Sequence, residues 1–220
     1  MKRVIFLHRS VGNNLINDAD VYGLLRPRHD IVLCDFDQNT STLRDDTSAR
    51  KTEYAMPGGN TRPQDYAQLF CIDAPSTLKD FVMQHDIVII KSCYPNSNIR
   101  SVDELETIKR YYQSIAQFFA RHHTKRLLIM TSPPLTPSMT NTTNAARARE
   151  LSSWLVSQKF TDNVLVYDLF DRLAADNGRQ ANMLRRDYRR LLPFDSHPNR
   201  QASQHIAPHF ISAIIQTTEN

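Results

Sequence analysis

Few side chains in this chain have both the chemistry and the placement to break or make a covalent bond. Ser10 lies in the stretch Val4-Ile-Phe-Leu-His8-Arg-Ser10-Val-Gly12-Asn-Asn14-Leu, where an apolar run ends in a polar turn. Asp195 and His197 lie close together in Pro193-Phe-Asp-Ser-His-Pro-Asn199. A serine hydroxyl becomes a useful nucleophile only when a base takes its proton, and histidine and aspartate are the residues that supply base and orienting acid. Taken alone, Ser10 also reads as a helix N-cap, a position that serine favours. Asn96 ends the polar stretch Lys91-Ser-Cys-Tyr-Pro-Asn, and Gly58-Gly59-Asn60 pairs two of only five glycines. Paired glycines mark a turn with unusual dihedrals or a close approach to the backbone. Cys93 belongs to the core on its apolar surroundings. His205 and His209 have a metal-ligand spacing, but no carboxylate accompanies them in a zinc-protease pattern. No metal or cofactor is expected. Lys91 ends an apolar run, where it would bind an anion or pair with a carboxylate.

These residues need elements to position them. Apolar runs at Val4–Leu7, Ile31–Cys34, Ile87–Ile90, Leu127–Met130 and Val164–Tyr167 are short enough for strands buried on both faces. Helical spacing fills most of the gaps. It predicts helices from Asn13, over 64–71 and 74–84, and from the Ser101/Glu104 capping box through Leu105, Ile108, Tyr112, Ile115 and Phe119 toward His122 and His123. Further helices carry Leu151, Trp154 and Leu155, span about 169–192, and run from Ala202 through Ile206, Phe210, Ala213 and Ile214, with a kink at Pro208. Residues 37–53 read as an exposed loop, and 133–144 as a substrate wall or lid. Gly12 is expected to let the backbone turn sharply after Ser10. Alternating strands and helices imply an α/β protein, a three-layer α/β/α sandwich on a flavodoxin-like five-stranded parallel sheet. Ser10, Gly58-Gly59-Asn60 and Asn96 then fall on one sheet edge, and Asp195 and His197 return over it before the last helix.

At 220 residues with 40% apolar and 23% charged composition, the chain fits one soluble domain, residues 1–220. The run after Lys2 and Arg3 is too short for a signal peptide, so the expected location is cytoplasmic. Three cysteines without CxxC spacing suggest reduced thiols. A net charge of +4 does not select nucleic acid as a partner. The dense basic run Arg185-Arg-Asp-Tyr-Arg-Arg190 reads as a solvated helix face, with an anionic substrate or a membrane surface as the other reading.

Taken in order, these blocks resemble the SGNH hydrolases, the GDSL-like lipase and esterase superfamily, and in particular a subgroup of small SGNH-like proteins. His8-Arg9-Ser10-Val11 stands where the family has its nucleophile block, and Gly59-Asn60-Thr61 is similar to its glycine block. Asn96 takes the place of its asparagine, and Asp195-Ser-His197-Pro-Asn199 that of its acid–histidine block. The resemblance implies hydrolysis of esters, of small molecules or acylated glycans, without a cofactor. Ser10 would be the nucleophile, His197 the base and Asp195 its orienting acid. The oxyanion would be held by the Ser10 and Gly59 backbone N–H groups and the Asn96 amide. The chain also departs from the family. His8-Arg9 replaces Gly-Asp, which opens the site to His8. Asp195 precedes His197 by two residues rather than three. Tyr94-Pro95 replaces the glycine before the asparagine and leaves Asn98 as an alternative donor. An acyltransferase would use the same residues. A binding module that keeps only the fold would recognise a glycan or an anionic ligand at this edge.

Overall fold

The computed structural model describes residues 1–58 and 60–219. Five parallel strands form its centre: β1 (Lys2–His8), β2 (Ile31–Asp37), β5 (Ile87–Lys91), β6 (Arg126–Met130) and β7 (Val164–Tyr167). Two short strands, β3 (Thr42–Arg44) and β4 (Ala49–Lys51), extend one edge antiparallel, giving the order β4-β3-β2-β1-β5-β6-β7. The sheet reverses direction of construction at β1, which is flanked by β2 and β5. Val4 pairs with both Leu33 and Ile87, so β1 lies between β2 and β5 and is the fourth of the seven strands. In such sheets ligands bind beyond the carboxyl ends of the strands at the point where the order reverses.

The apolar runs of β1 and β5 are uninterrupted because these strands are covered on both faces. Val4 and Phe6 point into one core, shared with α1 (Ser10–Asp18), α2 (Val21–Leu25) and α8 (Arg200–Glu219). Ile5 and Leu7 point into the other, shared with α3 (Pro63–Cys71), α4 (Thr77–Val82), α5 (Val102–Arg121) and α6 (Thr142–Ser157). All four side chains are fully buried. Burial of that kind is worth about 1.5–3 kcal/mol per large aliphatic or aromatic side chain. The Ser101 hydroxyl caps α5 by accepting the Glu104 N–H at 3.0 Å, while the Glu104 carboxylate reaches the Arg100 N–H rather than that of Ser101.

Three segments differ from the sequence expectation. Residues 37–53 are not a loop throughout but carry the β3–β4 hairpin, with Leu43 opposite Phe36 and the Asp45 carboxylate accepting the Thr47 and Ser48 N–H groups at 2.8 Å in the turn. An edge hairpin open to water needs few apolar residues, and β4 is exposed at every position. The span 133–144, expected as a substrate wall or lid, divides in two: residues 133–136 are buried, whereas 137–144 are half-buried or exposed and run into helix α6. The helical stretch 169–192 shortens to α7 (Leu169–Leu173) and a 3₁₀ turn at Arg186–Tyr188. Gly178 and Asn182 adopt left-handed φ values of 78° and 65°, and an Ala174–Leu184 bridge folds the segment back. The basic run is therefore no helix face. Helix α8 runs through Pro208 as one element, with the proline on its exposed side.

Candidate active site

The carboxyl end of β1 delivers the chain into α1 with Arg9 as the cap residue and Ser10 as the first helical residue. Ser10 is thus not an N-cap, and its hydroxyl is left for another partner. Its Oγ lies 2.7 Å from Nε2 of His197. Nδ1 of His197 lies 2.5 Å from Oδ1 of Asp195, and the same carboxylate oxygen accepts the backbone N–H of His197 at 2.9 Å. That second bond explains how an acid only two residues ahead reaches the ring. The Asp195 carboxylate folds over its own backbone in an Asx-type turn, which brings it beside the imidazole it would otherwise overshoot. A carboxylate can only accept, so Nδ1 carries the proton and Nε2 presents its lone pair to the Ser10 hydroxyl. Burial would raise the Asp195 carboxyl, but the hydrogen bonds and charge of His197, with Arg190 at 4.0 Å, outweigh it and hold it below the usual carboxylate range.

Two contacts around this trio were not foreseen. The Tyr94 ring meets the His197 ring edge-on at 4.9 Å. Its hydroxyl is pushed up by burial and by the nearby Cys93 and Asp195. Ser196, between acid and histidine, is fully buried and accepts the Thr136 N–H at 3.0 Å, which ties the block to the loop after β6. Only the position of Tyr94-Pro95, in place of a glycine, pointed to the first contact.

Asn96 lies in the 3₁₀ turn Tyr94–Ser97, the same turn that supplies Tyr94. Its side-chain amide donates to the Cys93 carbonyl at 3.0 Å, which leaves one amide hydrogen for a ligand. Asn98, the alternative donor, is held through its Oδ1, which accepts from Thr140 at 3.2 Å and from Asn144, in the first turn of α6, at 2.9 Å. Gly59 lies outside the described residues. Its neighbours hold a strained turn: Gly58 has φ 66° and Thr61, β-branched and fully buried, has φ 50°. A left-handed β-branched residue costs about 1–3 kcal/mol and persists only where the surroundings hold it. A Cβ on Gly58 would lie 2.1 Å from Asp65 Oδ1. Arg9 spans the gap from the nucleophile turn, with its guanidinium donating to Asn60 Oδ1 and to Asn39 Oδ1, both at 2.7 Å.

His8 does not enter the site. It is fully buried, with Nε2 2.7 Å from Asp35 Oδ1 and Nδ1 2.9 Å from the Arg9 carbonyl. Arg44 donates to the same carboxylate at 2.8 and 3.0 Å, and the Tyr22 hydroxyl donates as well. Burial raises the Asp35 carboxyl, yet these donors outweigh it and bring it down to about 2. Gly12 has no left-handed φ; it is glycine because a Cβ would stand 2.4 Å from Cβ and Cγ of His8. Lys91 takes neither of its expected roles. It is fully buried, its Nζ donates to the Ser92 carbonyl at 3.2 Å, and burial lowers its pKa. Cys93 is buried, and among the described residues no group of three or more His, Cys, Asp and Glu could hold a metal ion. No helix among them is long and apolar enough to cross a membrane.

No protein-family model matches the sequence, and no curated protein matches it. Solved structures do. The lipase Lip_vut3 from a goat rumen metagenome superposes with a TM-score of 0.60 at 12% identity, over 97% of this chain and 97% of that one. A GDSL-like lipase from Bacteroides thetaiotaomicron gives 0.55 at 10% identity, over 98% of this chain and 88% of that one. The chain has the SGNH/GDSL hydrolase fold. At this identity the likeness is one of fold, and the two extra edge strands add to the five-stranded sheet expected from the sequence. Within the SGNH/GDSL fold, Ser10, Asp195 and His197 stand together at the carboxyl edge of the sheet, beside the Asn96 turn. Arg9 and His8 are each built into side-chain networks of their own.

Proposed function

We propose that the protein is a serine esterase or deacylase of one SGNH-type domain, acting on a small ester or an acylated carbohydrate. The observation that carries this reading is the unbroken contact from Ser10 Oγ through the His197 ring to Asp195, at 2.7 and 2.5 Å. In the proposed reaction, Nε2 of His197 takes the Ser10 proton as Oγ attacks the ester carbonyl. The tetrahedral intermediate collapses with loss of the alcohol, which receives the proton from Nε2. Water then repeats the sequence on the acyl-enzyme, with Ser10 as leaving group. Asp195 keeps the proton on Nδ1 and stabilises the imidazolium.

The developing oxyanion would meet the free N–H groups at the start of α1, with the Ser10 N–H first among them, and the remaining amide hydrogen of Asn96. Gly59 would add its backbone N–H. The short Asp195–His197 spacing is one ground, with the His8-Arg9 pair and Lys91, for a binding module that keeps only the fold; the 2.5 Å contact between acid and ring supports the esterase reading on that one point.

The test is p-nitrophenyl acetate turnover with a fluorophosphonate probe in parallel. The wild type hydrolyses the ester and is labelled at Ser10. Ser10→Ala loses at least about 10³-fold in kcat and is not labelled. A folded Ser10→Ala variant with unchanged turnover would sink the proposal.

A further inference from the structure

The turn just ahead of Asp195 carries side chains that the proposed chemistry does not use. Leu191, Leu192 and Phe194 are 102%, 69% and 70% exposed, whereas most other exposed large apolar residues are scattered singly along the chain. Exposed apolar residues become informative when they are contiguous. The turn is also not a loose one. The Asp195 N–H donates to the Leu192 carbonyl at 3.1 Å, and the Thr136 and Ser138 hydroxyls both donate to the Pro193 carbonyl. Met139, itself 38% exposed, follows Ser138 on the loop that grips the turn. A pinned backbone therefore holds three or four apolar side chains out into water.

The chain around this tip is basic. Residues 185–200 contain Arg185, Arg186, Arg189, Arg190 and Arg200 against Asp187 and Asp195. Arg186 and Arg200 are exposed and make no ion pair among the described residues. Arg190 leans toward Asp195 at 4.0 Å, and Asp195 is already engaged by His197.

We propose that this turn docks the protein on an anionic lipid surface, its apolar tip entering the headgroup boundary and its arginines facing the lipid charge. An apolar tip within a basic collar is the pattern of interfacial anchors, where apolar burial and attraction to acidic lipids act together. A folded protein partner is the poorer fit. A stable protein interface takes about 800 Å² per side with matched shape, and one protruding turn does not supply it. Asp195 directly follows the tip, so docking brings the Asp195–His197 segment close to the surface. That consequence rests on the esterase reading; the docking itself does not.

Co-sedimentation with vesicles of phosphatidylcholine, with and without phosphatidylglycerol, tests it. The wild type sediments with the anionic vesicles, less with neutral ones, and less as salt rises. The triple variant Leu191→Ser, Leu192→Ser, Phe194→Ser binds at least about tenfold more weakly. Arg186→Glu with Arg200→Glu loses the preference for anionic vesicles. Ser10→Ala binds as the wild type does, so an inactive wild type that still binds would overturn the esterase reading and leave docking in place. Docking is overturned if the wild type stays in solution or if the triple variant binds equally. It is equally overturned if the wild type forms a dimer that the triple variant abolishes, because the tip is then covered by a second copy.

Discussion

Replacing Asp195 by Asn isolates what the carboxylate charge does, because the local geometry preserves the rest. Oδ1 is held by the His197 backbone N–H at 2.9 Å as well as by the ring at 2.5 Å. In Asp195→Asn the amide oxygen takes that doubly bonded place and the NH₂ group turns outward, since an NH₂ there would face two donors. The imidazole keeps its proton on Nδ1 and Nε2 still faces Ser10. Only the charge opposite the imidazolium is lost. At about 4 Å between charge centres that attraction is about 4 kcal/mol at an effective dielectric of 20 and about 1 kcal/mol in water. The two side chains are 21% and 23% exposed, which puts the pair between those limits. The expected loss in kcat is about 10–10³, smaller than the ~10⁴ seen when an amide presents its NH₂ to the ring and forces the wrong tautomer. Asp195→Ala loses the ring's orientation too and falls further. Ester hydrolysis by both variants, with circular dichroism to establish folding, is the assay. A loss below tenfold in Asp195→Asn, or an Ala variant more active than the Asn variant, would refute the reasoning.

Two further outcomes concern stability. Asp35 is fully buried with its carboxyl held at about 2 against about 3.9 in an unfolded chain, so it contributes about 2–3 kcal/mol. The depressed folded value means that this stability is fully present above pH ~4 and fades as pH falls toward 2. Urea midpoints across that range show the slope, and Asp35→Asn flattens it. Gly12→Ala places a methyl 2.4 Å from a His8 ring that Asp35 holds in place, and lowers the urea-derived stability by about 1–3 kcal/mol.

The parallel strands are legible in the sequence because their apolar runs are continuous, and β1 and β5, buried on both faces, leave no polar residue to interrupt Val4–Leu7 or Ile87–Ile90. The hairpin is not, because Leu43 is its one buried residue and three-residue strands show no period. The segment after α7 has enough leucine, alanine and arginine to pass for a helix. What folds it back is a pair of left-handed residues and a long-range bridge, neither of which shows in local pattern. At the site, Ser10, Asp195 and His197 are legible through their order along the chain. The His8 network is not, because residues 8, 22, 35 and 44 come from four elements and meet only when the sheet forms. The same blindness explains Gly12, which reads as a flexible joint and is in fact a clearance for the His8 ring.

The two-residue separation of Asp195 and His197 makes acid and base a single part. Both ride on one short segment, cross-linked within itself by the Asx-type turn and clamped to the loop after β6 through Ser196 and Pro193. Any movement of that segment carries the pair as a unit. Displacement therefore breaks the contact to Ser10 first and leaves the acid–base contact whole. An idle form of the protein would keep a correctly oriented imidazole with nothing to deprotonate.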